Sequence, residues 1–287
     1  MISVIITAYK ESKTIGKAIQ SILDNGLKNL EILVAAPDNE TLAVAKKYKG
    51  IKIIRDPKKG KPFALNMVVK KAKGDILVLT DGDVFISKDS LRYLISQFRD
   101  EKIGAVSGNP VSINSKKTAL GYWAYVLSNV ANDWRKTSSR KNQNFFCSGY
   151  LFAIRKNLFP KLDAEMLSED GFISLNVYNK GFKIGYSEKS KVFVKYPTTF
   201  KDWIMQKKRS AGGYNQIKKM TGQELRSFKT ESKGAFMVLK YVSNFHQLVW
   251  MVQLFLARIY LWAIIYRDIN LKNKSHKEIW KRVESTK

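Results

Sequence analysis

The sequence predicts an α/β domain with a mostly parallel central sheet flanked by helices, followed by C-terminal amphipathic, membrane-associated helices. Three observations predict it. Short apolar runs alternate with segments of helical periodicity through residues 1–80. Carboxylates stand where one of those runs ends, at Asp81-Gly82-Asp83. Between Lys240 and Arg267 the chain is apolar and aromatic, with Arg258 as its one charge.

Taken in order, residues 4–8 read as a buried parallel strand. Ile15, Ile19 and Ile22 then recur at helical spacing, with Ser12 as the expected cap. Residues 32–36 form the second strand and 42–48 a helix. Residues 51–54 form the third strand, closed by the turn Asp56-Pro57-Lys58-Lys59-Gly60. Residues 62–73 are helical, and 75–80 form the strand that delivers Asp81 and Asp83. Alternation of this kind argues for parallel pairing through right-handed crossovers. Residues 103–108 continue the pattern. After them Tyr122, Trp123, Tyr125 and Trp134 mark an aromatic helix. Residues 145–154 read as one strand, 169–179 as a helix, and 183–186 and 192–194 as two short strands.

At 287 residues and 45% hydrophobic content, the chain has ample core for one large α/β domain or two smaller ones. The single cysteine, Cys147, excludes an internal disulfide and fits a reducing compartment. No basic region precedes an apolar core at the N-terminus, so no secretory leader is expected. A net charge of +27 attracts polyanions. The lysines are spread over most helices, which suits an anionic membrane surface better than one DNA groove, and no nucleic acid is expected. The plain alternative is a solubilising lysine-rich surface.

The 240–267 stretch is long enough to cross a bilayer, for which about 20 apolar residues suffice. His246, Gln247, Gln253 and Arg258 interrupt it. Both flanks are basic, with Lys229, Lys233 and Lys240 before it and Arg267, Lys272, Lys274, Lys277, Lys281 and Arg282 after. A spanning helix leaves one basic flank outside, whereas an in-plane helix keeps both against headgroups. Three readings stand: an interfacial helix, a single span, and a core or oligomer helix with a membrane-protein partner.

Three short signatures carry chemistry. Asp81-Gly82-Asp83 lies at the carboxyl end of a buried strand, facing the crevice where open α/β sheets bind ligands. An Asp-x-Asp there holds a divalent cation that grips a diphosphate. Ser168-Glu169-Asp170 offers a base, although a serine followed by two acids also suits a helix N-terminus. Gln206-Lys207-Lys208-Arg209 puts Gln206 and Arg209 on one helical face, supplying a fixed cation for a leaving group. Together they suggest group transfer from a diphosphate-activated donor.

These signatures, in this order, resemble the family-2 nucleotide-sugar glycosyltransferases, inverting enzymes with a GT-A fold. Residues 3–11 (SVIITAYKE) resemble that family's first strand and turn. Residues 60–66 (GKPFALN) resemble its G-K-x-x-A-L-N segment, and residues 148–156 (SGYLFAIRK) its small-Gly stretch before the catalytic acid. The resemblance covers residues 1–215. It implies that Asp83 binds Mn²⁺ or Mg²⁺, with Asp81 touching nucleotide, sugar or metal. It implies Asp170 as the general base, with Glu169 orienting it or binding acceptor. Thr7, Ala8, Tyr9 and Glu11 would line the donor site, Lys61 would face the diphosphate or ribose, and Asp38 would lie near the base. Gln206 and Arg209 match part of the Q-x-x-R-W motif of processive synthases, but Ser210 replaces its tryptophan, which points to single-sugar addition.

The organisation expected from this resemblance is 1–110 as the nucleotide-sugar half, 111–200 as the acceptor half, 201–235 as the Q-x-x-R helix and linker, and 236–287 as the apolar helix and basic tail. A UDP-sugar donor, a lipid-linked or glycan acceptor and the cytoplasmic face of the cell membrane are the implied partners and place. Two other readings use the same residues. In a haloacid-dehalogenase-type phosphatase, Asp81 and Asp83 would be nucleophile and acid, but that pair belongs on the first strand and three strands precede it here. A non-enzymatic basic nucleic-acid or membrane-binding module leaves the acidic motifs unexplained. Two histidines, His246 and His276, are too few for a zinc cluster. No Gly-x-Gly-x-x-Gly follows the first strand, and Gly60-Lys61 lacks P-loop spacing. Cys147 has no histidine beside it and is expected to be a buried thiol.

Overall fold

In a computed structural model that describes residues 1–223, 235–268, 283, 285 and 286, the apolar run Ile2–Thr7 (β1) lies between two other strands. It pairs in parallel with Leu30–Ala36 (β2) and Ile76–Asp81 (β4), and Ile51–Arg55 (β3) extends the sheet beyond β2. The crossovers are Ile15–Leu23 (α1), Asn39–Ala45 (α2) and Lys61–Lys71 (α3). Phe85–Ile86 (β5) and Ser90–Ser96 (α4) follow β4, and Ile103–Ser112 (β6) leads into Ala119–Arg140 (α5). Leu151–Arg155 (β7), Glu169–Asn179 (α6), Lys183–Val194 (β8), Phe200–Thr221 (α7) and Phe245–Tyr266 (α8) complete the described strands and α-helices.

The strand order is β3-β2-β1-β4-β7-β6-β8-β5. β7 runs antiparallel to both β4 and β6, so the sheet is mixed, with a parallel first half. Period-two alternation divides the core between its two faces. Val4 and Ile6 pack with Ile19 and Leu91 beneath α1 and α4, whereas Ile5 and Leu79 pack with Leu65 and Ile173 beneath α3 and α6.

Helix α8 is held by a third apolar cluster. Its Met251, Leu254, Leu261 and Ile265 are buried against Trp123, Val126 and Trp203 of α5 and α7. The Trp123 indole N–H donates to the Trp250 carbonyl at 2.7 Å. Four large side chains at about 1.5–3 kcal/mol each make this a substantial docking surface. The opposite side of α8 stays apolar and exposed, with Val252, Leu256 and Ile259 each more than half open to solvent. By length and composition α8 is able to cross a membrane. The expected basic flanks at 229, 233 and 272–282 lie outside the described residues, as does His276.

Three local expectations are corrected. Ser12 does not cap α1. The chain makes a turn first, in which the Thr14 and Ile15 N–H groups donate to the Glu11 carbonyl, and the helix begins after Thr14. Residues 145–154 are not one strand. The Cys147 and Ser148 N–H groups donate to Ser174 Oγ and Ser107 Oγ, and a turn at Gly149-Tyr150 precedes β7. β8 is one strand rather than two. Its polar middle stays in place because the Ser187 and Ser190 hydroxyls bond each other at 2.6 Å, while Ser190 Oγ donates to the Ser90 carbonyl.

Candidate active site

Parallel pairing aligns the carboxyl ends of β1 and β4. Thr7 stands opposite Asp81 in the register, and its hydroxyl donates to Asp81 Oδ1 at 3.2 Å. The turn after Asp81 passes close to β1. A Cβ on Gly82 would lie 2.7 Å from that of Ala8, so only glycine lets the two strand ends meet here. Asp83 follows, half-buried and facing the same cleft.

Lys61, the first residue of α3, joins two of the three signatures. Its ammonium lies 2.7 Å from Asp81 Oδ1 and 2.8 Å from Glu169 Oε1. Burial disfavours the charged amine, but the Asp81 and Glu169 carboxylates outweigh that, and the Lys61 pKa is raised. Residues 88 positions apart in the chain (169 − 81) thus share one cation.

Asp170 sits beside Glu169 in the first turn of α6. Its Oδ2 accepts the Gly149 N–H at 3.0 Å, and its Oδ1 accepts the Ser168 hydroxyl at 2.9 Å and the Gly171 N–H at 2.8 Å. Ser168 therefore serves Asp170 and makes no side-chain cap to the helix. A Cβ on Gly149 would lie 3.1 Å from Asp170 Oδ2, so the close approach suits glycine. Burial, and then the neighbouring Glu169 charge, raise the Asp170 pKa despite these three donors. A carboxylate has roughly four lone-pair sites, which leaves one for a further donor.

Gln206 and Arg209 of α7 line the same cleft. The Gln206 amide donates to the Tyr150 hydroxyl at 3.3 Å. Burial, then Tyr196 and Asp83, push the Tyr150 phenol up, with Arg209 acting in the opposite direction. Tyr150 therefore stands neutral where the aspartate turn and the Gln206/Arg209 face converge. The cleft volume is about 1460 Å³. Clefts that hold one drug-sized ligand have volumes of roughly 300–1,000 Å³, and this one is larger.

Thr7, Ala8, Tyr9 and Glu11 line the cleft as well. Asp38 does not. Its Oδ1 accepts the Thr41 N–H at 3.0 Å as the cap of α2, and its Oδ2 accepts the Lys10 N–H at 2.8 Å. Lys10 has φ 55°, so Asp38 fixes a left-handed turn next to the site. The carboxylate bordering the cleft on that side is Asp56, whose pKa burial raises. Sequence reasoning missed Asp56 and Tyr150. Asp56 carried a usable signal, since it follows β3 as Asp81 ends β4. Among the described residues there is no cluster of three or more His, Cys, Asp or Glu able to hold a metal by itself. Cys147 is buried, and its thiol is pushed up to about 12 by that burial.

A mixed α/β sheet thus brings strand-end carboxylates, a half-buried helix-borne Asp and a glutamine–arginine pair to one cleft. Residues 3–163 match the model of glycosyl transferase family 2, and the chain belongs to that family. It is similar to the poly-beta-1,6-N-acetyl-D-glucosamine synthase of Staphylococcus aureus, at 24% identity over 271 residues, covering 91% of this chain. The chain spans 64% of that relative's length. Among solved structures, the mannosyltransferase PcManGT from Pyrobaculum calidifontis in complex with GDP-Man and Mn²⁺ superposes with a TM-score of 0.62 at 16% identity, over 96% of this chain and 88% of its own. S. aureus TarS 1-349 in complex with UDP gives 0.52 at 16% identity, over 74% of this chain and 65% of its own. The fold is that of the GT-A glycosyltransferases.

Proposed function

We propose that this chain is a metal-dependent inverting glycosyltransferase that moves a sugar from a nucleotide diphosphate, a UDP-sugar, to the hydroxyl of a lipid-linked or membrane-proximal acceptor. One observation carries the reading: the Lys61 ammonium joins Asp81 to Glu169 in a cleft that Asp83, Asp170 and Arg209 also line. Residues 1–110 supply the donor side and residues 111–200 the acceptor side, with α7 carrying the Gln206/Arg209 face between them. Exposed apolar α8 and the positive net charge favour work at the cytoplasmic face of a membrane, in polysaccharide or glycolipid synthesis.

Asp81 and Asp83 fit a hard divalent cation. They offer the oxygen donors that Mg²⁺ and Mn²⁺ take, and would hold such an ion together with the donor diphosphate. When bound, the ion neutralises diphosphate charge. Asp170 accepts the proton of the acceptor hydroxyl while that oxygen attacks the anomeric carbon. The carbon–oxygen bond to the diphosphate breaks on the opposite face, which inverts the centre. Arg209 faces the charge that grows on the leaving diphosphate, and Tyr150 with Gln206 holds the sugar side by neutral hydrogen bonds.

The test is a donor screen with purified protein and Mn²⁺ or Mg²⁺, following nucleotide release and transfer. Asp83→Asn and Asp170→Asn are each expected to abolish transfer while melting at the wild-type temperature. Normal turnover by either variant rejects the role given to that residue.

A further inference from the structure

Helix α5 carries none of the three signatures, yet it places an open tryptophan in the cleft. Trp134 lines the cleft and is 42% exposed, whereas Tyr122 and Trp123 of the same helix are buried. Its ring packs on Phe146 with centroids 6.3 Å apart, and Phe146 packs on Tyr214 of α7 at 5.3 Å. All three line the cleft. The wall they form begins at Asp170. A Cβ on Gly171, the next residue, would lie 3.4 Å from Tyr214 Cε1. Phe146 in turn leads through Cys147 and Ser148 to Gly149, whose N–H meets Asp170 Oδ2.

Two polar groups stand along this wall. The Trp134 indole N–H meets no acceptor among the described residues. Arg135 also lines the cleft, and among the described residues its hydrogen bonding is limited to Nε, which donates to the Phe146 carbonyl at 3.3 Å. A hydrocarbon chain laid on the wall would strip water from these donors and replace none of it. The nucleotide is placed elsewhere, since α5 packs on β6 and β8, in the half of the sheet away from β1 and β2. A pyranose suits both features. One of its faces is made of C–H groups, which rest on the negative face of an aromatic ring. Its edge carries hydroxyls, which accept from an indole N–H and a guanidinium.

We propose that Trp134 is the platform for a second sugar of the acceptor. The terminal ring lies against Tyr214 and Phe146 with its hydroxyl at Asp170, and the preceding ring stacks on Trp134 with Arg135 at its hydroxyl edge. This rests on the transfer reaction proposed above and names its acceptor as a glycan of at least two sugars, selected for length by α5.

The test titrates the full chain, without donor, with saccharides of one to four units in series built from glucose, N-acetylglucosamine, galactose and mannose. Saturation-transfer NMR and calorimetry read the binding. In at least one series the two-unit member is expected to bind about tenfold more tightly than the single sugar, the scale of one stacked ring. Trp134→Ala should abolish that increment, Trp134→Phe should keep most of it, and Arg135→Gln should reduce it. Tyr178→Ala, which removes a ring exposed outside the cleft, should leave it intact. Absence of binding in every series overturns the proposal, as does an increment unchanged in folded Trp134→Ala. If that variant does not fold, Arg135→Gln decides by the same criterion. A dodecyl glycoside of one sugar that gains as much through Trp134 as the second sugar does also overturns it, because the wall would then hold hydrocarbon. A Trp134-dependent increment in a protein that transfers no sugar from any donor would reject the reaction and leave the subsite standing.

Discussion

Replacing Lys61 by methionine removes the charged nitrogen while keeping an unbranched apolar stem. The ammonium is within 2.8 Å of both Asp81 Oδ1 and Glu169 Oε1, and its raised pKa keeps it charged throughout any assay range. A cation accepted by Asp81 must displace that ammonium or sit beside it. A divalent ion and an ammonium about 4 Å apart repel by about 8 kcal/mol at an effective dielectric constant of about 20, and by about 2 kcal/mol in water. The Lys61 side chain is 33% exposed, and solvent screening reduces the repulsion to about 1–2 kcal/mol. Lys61→Met is therefore expected to tighten Mn²⁺ binding to nucleotide-free protein by about tenfold. The same substitution should lower kcat/KM for transfer by about 10²-fold, as loss of one preorganised charge-stabilising group does. Calorimetric titration with MnCl₂ reads the first effect and steady-state transfer the second. A solvated lysine with no role would move neither constant. Weaker or unchanged Mn²⁺ affinity in the folded variant would refute the reasoning, because it would mean that lysine and metal do not compete for Asp81.

Glu169→Gln should shift the acid limb of kcat/KM to lower pH. The ionised form of Asp170 is the base, so activity is lost as pH falls through its raised pKa, and the substitution removes the second of the two causes of that rise. A limb that stays put or moves up counts against it. Arg209→Ala should reduce kcat by about 10²-fold while changing donor Kd far less, because its partner charge grows in the transition state. A pure loss of donor affinity in a binding titration would reassign Arg209 to ground-state binding. Cys147 should react with iodoacetamide only after unfolding, since burial holds its thiol near pKa 12. Rapid labelling of native protein, read by mass spectrometry, would contradict the packing around it.

The parallel half of the fold was legible because each strand is a short apolar run ending in polar residues, and each helix carries apolar spacing. The 169–179 helix was read to its observed bounds, from acids in its first turn. Strands held by side chains were not legible. Nothing in apolar periodicity shows that Ser174 takes the Cys147 N–H and Ser107 the Ser148 N–H, or that paired serines keep β8 continuous. The family resemblance put Asp38 near the nucleotide base. An aspartate there serves equally well as a helix cap, and three-residue spacing to Thr41 already suited that use. The apolar stretch of α8 was visible in sequence. Its docking on α5 and α7 was not, since that depends on tryptophans distant in the chain.

Local preference and observed placement disagree at one point, and the disagreement is informative. Acids in the first turn of α6 are where a helix dipole favours them, so Glu169 and Asp170 need no further reason to lie there. Lys61 is the reverse. It begins α3, where the dipole disfavours a cation, behind Gly60, which gives the helix no side-chain cap. Local structure therefore does not account for a charged amine at that place. The carboxylates of β4 and α6 do, and they reach it only because parallel pairing brings the ends of β1 and β4 to one edge of the sheet. A residue held against its local preference by partners from two distant segments is where fold stability has yielded to the chemistry of the cleft.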